Sequence, residues 1–185
     1  MNLPSKLGII FFLSEVALYY SRRSRPHGRK ADGGSLTLLW IAIAGSIVGA
    51  ILVAQRLPAH AFPLPHAATQ VVGLVFVAGL LLRWWAIISL GRFFTVDVSI
   101  EPGHELIVRG PYHVIRHPSY AGLLVAFAAL GVTFQNWLSL VCLLGPISLA
   151  LAYRIFIEER ALCTAFGDEY REYQKTTKRL IPGVF

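Results

Sequence analysis

The sequence predicts an all-α, polytopic membrane protein with about five transmembrane helices. Three observations predict it. Of the 185 residues, 55% are hydrophobic and only 15% are charged, and the mean hydropathy is +0.59. A soluble domain of this size has too little interior for that much apolar surface. Several apolar runs approach the roughly 20 residues that cross a bilayer core. The basic residues are also sorted by loop. Of the 17 lysines and arginines, 14 lie in segments 22–30, 92–116 and 154–179, leaving Lys6 and Arg56 on the other side and Arg83 within a span. This asymmetry places the N-terminus outside and the C-terminus in the cytoplasm. It also accounts for the net charge of +7 without nucleic acid, which would call for a basic stripe interleaved with aromatics.

The elements follow in order. Residues 4–20 form the first span; Glu15 and the lack of a small-residue cleavage site before Arg22 mark it as retained rather than as a signal peptide. The basic turn 21–30 leads to a second span, 36–57, whose Gly45, Ser46 and Gly49 permit close helix packing or pairing between chains. Pro58, Pro63 and Pro65 make the next loop. A third span, 69–90, carries Arg83, Trp84 and Trp85 near its inner end, where arginine snorkels and tryptophan anchors at the interface.

Segment 91–118 is too polar to span, with Asp97, Glu101, His104 and Glu105 in it. The fourth and fifth runs, 120–134 and 137–165, turn at Gln135-Asn136 as a helical hairpin. The last would be about 43 Å long if continuous, longer than the hydrocarbon core, with Pro146 expected to kink it. Gly167 is positioned to cap it before an amphipathic stretch, 168–178. The chain thus reads as one membrane domain, 1–185, with a two-span region, 1–68, and a core, 69–185. The core contains a loop, 91–120, and a helical C-terminal region, 137–180.

Two polar clusters border these spans. Gly110-Pro111-Tyr112 and Arg116-His117-Pro118-Ser119-Tyr120 crowd aromatic and basic side chains into the loop before the fourth run. His117-Pro118 favours a helix start there, which holds the histidine near a helix N-terminus. Arg154 and Glu158, four residues apart, share one helical face, and Glu159 is displaced by about 100°. An isolated pair of this kind would more often be an intrahelical salt bridge. Beside the loop, arginine suits a carboxylate or phosphate, and glutamate suits an ammonium or ribose hydroxyls. Cys142 and Cys163 stand alone, without a metal-ligand or paired spacing.

Taken together, Gly110-Pro111-Tyr112, Arg116-His117-Pro118-Ser119-Tyr120-Ala121-Gly122, Glu158-Glu159, Phe166-Gly167-Asp168-Glu169-Tyr170, Tyr173 and Leu180-Ile181-Pro182 resemble the isoprenylcysteine carboxyl methyltransferase family. Arg83 and Leu90-Gly91 extend the likeness, which covers roughly the C-terminal 100 residues by order and spacing of motifs. The resemblance implies S-adenosyl-L-methionine as methyl donor, bound without a soluble nucleotide-binding fold. Carried over by position, it implies cofactor contacts at His104, Glu105, Leu106, Ile107, Tyr112, His117, Pro118, Ser119, Tyr120 and Glu158. It implies that Arg154 faces the acceptor. The compact length is similar to that of prokaryotic relatives, which implies a cytoplasmic membrane and a lipophilic or lipidated acceptor drawn from the bilayer. A prenylcysteine carboxylate, a phospholipid amine and a long-chain hydroxyl all stay open as acceptors. Two other readings stand beside this one: an NADPH-dependent lipid or sterol reductase, and a non-enzymatic structural membrane protein.

Overall fold

The computed structural model describes residues 2–21, 29–30, 32–94, 99–100, 103 and 105–183. Apolar stretches with few breakers become the helices α1 (Leu3–Ser21), α2 (Ser35–Arg56), α3 (His66–Leu90), α4 (Pro118–Val132) and α5 (Trp137–Phe166), and the polar, amphipathic segment after Gly167 becomes α6 (Asp168–Thr176). A two-residue antiparallel pairing, Arg29–Lys30 (β1) with Ser99–Ile100 (β2), ties the loop after α1 to the loop after α3. The all-α architecture holds around this small exception.

Four of these helices, α1, α2, α3 and α5, are long and apolar enough to cross a membrane. The fourth sequence span is shorter than the others. At 15 residues, α4 is about 22 Å long against a core of about 30 Å. It is sheltered between α3 and α5 and buries Gly122, Leu123, Ala126, Phe127 and Leu130. Large apolar side chains such as Ile41, Leu74, Leu81, Val141 and Leu149 face outward. That inversion marks an integral membrane protein, because lipid tails solvate such side chains.

Between helices already solvated by lipid, close packing of small residues replaces the hydrophobic effect. The most extensive pair is α3 with α4, followed by α2 with α5. At the first crossing, a Cβ on Gly79 would lie 2.7 Å from both the Gly122 carbonyl and the Ala126 amide, so the two backbones touch. In α2, Gly49 performs the expected role, since a Cβ there would meet Cys142 Sγ of α5 at 2.8 Å. Gly45 faces open space.

The hairpin turn is fixed by Asn136, which caps α5 by accepting from the Ser139 amide (3.1 Å) and donates to the Leu57 carbonyl (2.9 Å). The α2–α3 and α4–α5 connections therefore meet at one end of the bundle. Helix α5 runs through Pro146 to Phe166, and Gly167, at φ 57°, separates it from α6.

Arg83 and Trp84 correct the sequence reading. Arg83 is buried rather than snorkelling, with Nε and Nη2 donating to the two carboxylate oxygens of Glu15 (2.8 and 2.9 Å) and Nη1 to Ser119 Oγ (3.0 Å). Trp84 Nε1 donates to Ser14 Oγ at 2.7 Å. The cause is Glu15, which offers a bidentate partner inside the bundle; an ionised side chain at that depth is held by a partner rather than by lipid. Trp85 alone stays exposed.

Candidate active site

At the end of the bundle opposite the hairpin turn, a cavity is lined by α1, α2, α3, α4, α5, α6 and the 105–117 loop. Gly110, at φ 62°, turns the chain, and residues Gly110–His113 make a short 3-10 turn. Pro118 then takes the first position of α4, where its missing N–H costs nothing. The segment is clamped from behind. The Arg116 and His117 amides donate to the Lys178 and Arg179 carbonyls at 2.8 and 2.9 Å, and the Arg116 guanidinium donates to the Gln174 and Thr177 carbonyls.

A polar chain crosses the site from α2 to α5 to α4. Asp32 accepts from the Ser35 hydroxyl (2.8 Å) and the Leu36 amide (3.2 Å), and from Arg154 Nη1 at 2.8 Å. Burial pushes the Asp32 carboxyl up, but the Ser35, Leu36 and Arg154 interactions outweigh it and hold the group below its ordinary value. Arg154 Nη1 also donates to Ser35 Oγ (3.0 Å), and its Nε donates to Tyr120 Oη (2.9 Å). Tyr120 Oη donates in turn to Glu158 Oε2 at 2.8 Å. Arg154 and Glu158 are thus joined through Tyr120, a bridge that the intrahelical salt-bridge reading does not contain.

His117 stacks on Tyr120, with 5.6 Å between ring centroids. Its Nδ1 lies 3.8 Å from Glu158 and its Nε2 3.3 Å from Glu159. The two adjacent glutamates divide their work. Glu158 is partly open to the cavity. Glu159 is buried, accepting from Arg116 Nε (3.0 Å) and from Arg179 Nε and Nη2 (3.0 and 2.9 Å). Glu159 therefore fastens the loop and the tail to α5.

The cavity lining is mixed. Leu18, Leu36, Leu39, Trp40 and Ile43 supply apolar surface, Tyr112, Phe166, Tyr170 and Tyr173 aromatic rings, and Glu15, Arg83, Arg154 and Glu158 charged groups. Burial, reinforced by Glu158, raises the Tyr112 phenol well above its ordinary value. Burial likewise pushes Tyr173 up to about 12, and its hydroxyl donates to the Tyr112 carbonyl. Both phenols are neutral at pH 7.

Of the residues singled out in the sequence, Glu105, Leu106, Ile107, Tyr112, His117, Ser119, Tyr120, Arg154 and Glu158 all line this cavity. Pro118 is buried beneath it as the first residue of α4. His104 and Asp97 lie outside the described residues. Glu105 is largely exposed, 3.8 Å from Arg92. Sequence reasoning missed Asp32 and Ser35, the Glu15–Arg83–Ser119 triad, the clamps on Glu159, and Tyr170 and Tyr173. A charged residue within an apolar run was the available signal for the triad; Asp32 carried none. Among the described residues no group of three or more His, Cys, Asp or Glu side chains could hold a metal ion. Cys142 and Cys163 are free thiols.

These features define a class: an integral membrane protein whose helices enclose a cavity lined by charged, aromatic and apolar side chains together. Within that class the chain belongs to the isoprenylcysteine carboxyl methyltransferase family, whose model matches residues 71–164. It is 34% identical over 112 residues to protein-S-isoprenylcysteine O-methyltransferase B of Arabidopsis thaliana, covering 60% of this chain and 57% of the relative. It is 29% identical over 92 residues to the uncharacterized protein YpbQ of Bacillus subtilis, covering 49% of this chain and 54% of that protein. Among solved structures it is similar to the eukaryotic intramembrane Ras methyltransferase ICMT, at TM-score 0.60 and 28% identity over 78% of this chain and 52% of that one. The chain thus spans a little over half the length of these relatives.

Proposed function

We propose that this protein transfers a methyl group from S-adenosyl-L-methionine to a lipophilic acceptor, with a prenylcysteine-like carboxylate as the leading candidate. One observation carries the reading: a single cavity is lined both by Glu158 with the rings of Tyr112, Tyr120 and Tyr170 and by the apolar side chains of Leu18, Leu36, Leu39 and Ile43. The carboxylate and rings suit a compact cation bearing an adenine ring, and the apolar lining a hydrocarbon tail. The names of the curated relatives and of the similar solved structure support the same reaction.

The residues present fit the cofactor. Glu158 offers a carboxylate for an ammonium or ribose hydroxyls, the tyrosines and Phe166 offer faces for a ring, and His117 and Ser119 lie at the start of α4. We assign the cofactor-binding role to Glu105, Leu106, Ile107, Tyr112, His117, Pro118, Ser119, Tyr120 and Glu158, with His104 assigned by its place in the motif. When bound, the sulfonium supplies an electrophilic methyl group. The protein's task is then in-line positioning, worth up to about 7–11 kcal/mol in favourable intramolecular models. A carboxylate acceptor is ionised at pH 7 and needs no general base. Arg154 faces it as an orienting cation. Because Asp32 already balances part of that charge (2.8 Å), Arg154 attracts the acceptor without overstabilising its negative charge in the ground state.

The bias of basic residues toward the loops at this end of the bundle supports a cytoplasmic site, with the cofactor entering from the cytosol and the acceptor from the bilayer. The test is incubation of detergent-purified protein with methyl-labelled S-adenosylmethionine and an amine-blocked farnesylcysteine. Label in a base-labile methyl ester is the expected result. Cofactor binding without any transfer to carboxylate, amine or hydroxyl lipids would overturn the transferase assignment.

A further inference from the structure

Tyr170, on α6, lines the cavity with its side chain 1% exposed. Its hydroxyl finds no hydrogen-bond partner among the described residues, the one buried side-chain polar atom there left in that state. Native structures rarely strand a buried hydroxyl, and each such case asks for a partner. The ring is held in place: it packs edge-on against Tyr173, with 5.9 Å between centroids. The phenol keeps its proton, since burial and the neighbouring Glu159 and Glu158 carboxylates push its titration far above neutrality. The wall of the site therefore holds a neutral, buried O–H that has no partner among the described residues.

Resting on the methyltransferase reading, we propose that Tyr170 is a cofactor-binding residue, its hydroxyl donating to an oxygen or nitrogen acceptor of the S-adenosyl group. The choice of cofactor over methyl acceptor follows from charge. Tyr170 stands in the field of Glu158, which repels an anionic acceptor and favours a sulfonium-ammonium cation, whereas the neighbouring Glu159 is already balanced by Arg116 and Arg179. Helix α6 thereby becomes one wall of the cofactor site. The tail clamp of Arg116 onto the Gln174 and Thr177 carbonyls gains a purpose, since it fixes the helix that presents this hydroxyl.

The test is Tyr170→Phe, read by two independent measurements on detergent-purified protein: thermal unfolding without ligand, and titration with S-adenosylmethionine and S-adenosylhomocysteine. Tyr173→Phe, whose hydroxyl is bonded within the protein, is the control. Removing a hydroxyl that lacks a protein partner spares the apo protein its desolvation penalty, whereas losing the bond to a ligand weakens binding. The expected result is a Tyr170→Phe melting temperature equal to or above wild type, with affinity for both ligands reduced about 5–10-fold. Tyr173→Phe should melt lower. Unchanged affinity in Tyr170→Phe would overturn the assignment. So would a lowered melting temperature or failure to fold, which would show a structural hydroxyl. If wild type binds neither ligand, the methyltransferase reading fails first and the assignment with it.

Discussion

Tyr120→Phe removes one oxygen atom from the centre of the site and two hydrogen bonds with it. Tyr120 Oη accepts from Arg154 Nε at 2.9 Å and donates to Glu158 Oε2 at 2.8 Å. Bonds to charged groups contribute about 1.5–3 kcal/mol each, so an upper bound on the loss is about 3–6 kcal/mol. Two features reduce it. Arg154 keeps Asp32 and Ser35 as partners, and Glu158, with 31% of its side chain exposed, is rehydrated when its bond is lost. We therefore expect about 2 kcal/mol of destabilisation, measured by thermal unfolding in detergent. Cofactor affinity should fall about tenfold because Glu158 is no longer held, equivalent to about 1.4 kcal/mol. A double-mutant cycle with Arg154→Met should show coupling of about 1–2 kcal/mol, since both substitutions break the same chain. Additivity within about 0.5 kcal/mol, or a Tyr120→Phe protein with wild-type affinity, would refute the idea that Tyr120 links the arginine to the glutamate.

Other outcomes follow from the same geometry. Glu15→Gln leaves Arg83 as an uncompensated buried charge and should cost about 3–5 kcal/mol, while Glu15→Leu combined with Arg83→Leu should recover most of it; thermal unfolding of wild type and these two variants checks this. Asp32 gives a pH signature. Because its folded value lies below the ordinary 3.8, the stability it contributes is fully present above the unfolded value and is lost as pH falls through the folded one. Melting temperatures of wild type and Asp32→Asn should therefore run parallel from pH 7 to about pH 5 and converge only below about pH 4.

The helices were legible in the sequence because apolar runs in a membrane protein have one way to satisfy their backbones. The bounds of α5 differ from the sequence span by one residue, and the Gly167 break falls where it was placed. The loop and helix-end motifs were legible because Tyr112, His117, Ser119, Tyr120, Arg154 and Glu158 converge on one cavity. What escaped was partnership across long separations. Arg154 was read beside Glu158 alone because its neighbours in sequence gave no sign of Asp32, 122 residues away. Arg83 read as an interface anchor because its partner, Glu15, lies 68 residues upstream. Tyr170 looked like one aromatic of an amphipathic helix, and only its three-dimensional burial reveals a hydroxyl without a partner.

The central claim, that the cavity around Glu158 binds the methyl donor, is tested most directly by isothermal titration. Wild type and Glu158→Gln would each be titrated in detergent with S-adenosylmethionine and S-adenosylhomocysteine, with NADPH as control. The account predicts saturable binding of the first two to wild type, weakening by about tenfold or more in Glu158→Gln, and no saturable binding of NADPH. Saturable NADPH binding by a folded protein that ignores both S-adenosyl ligands would contradict it.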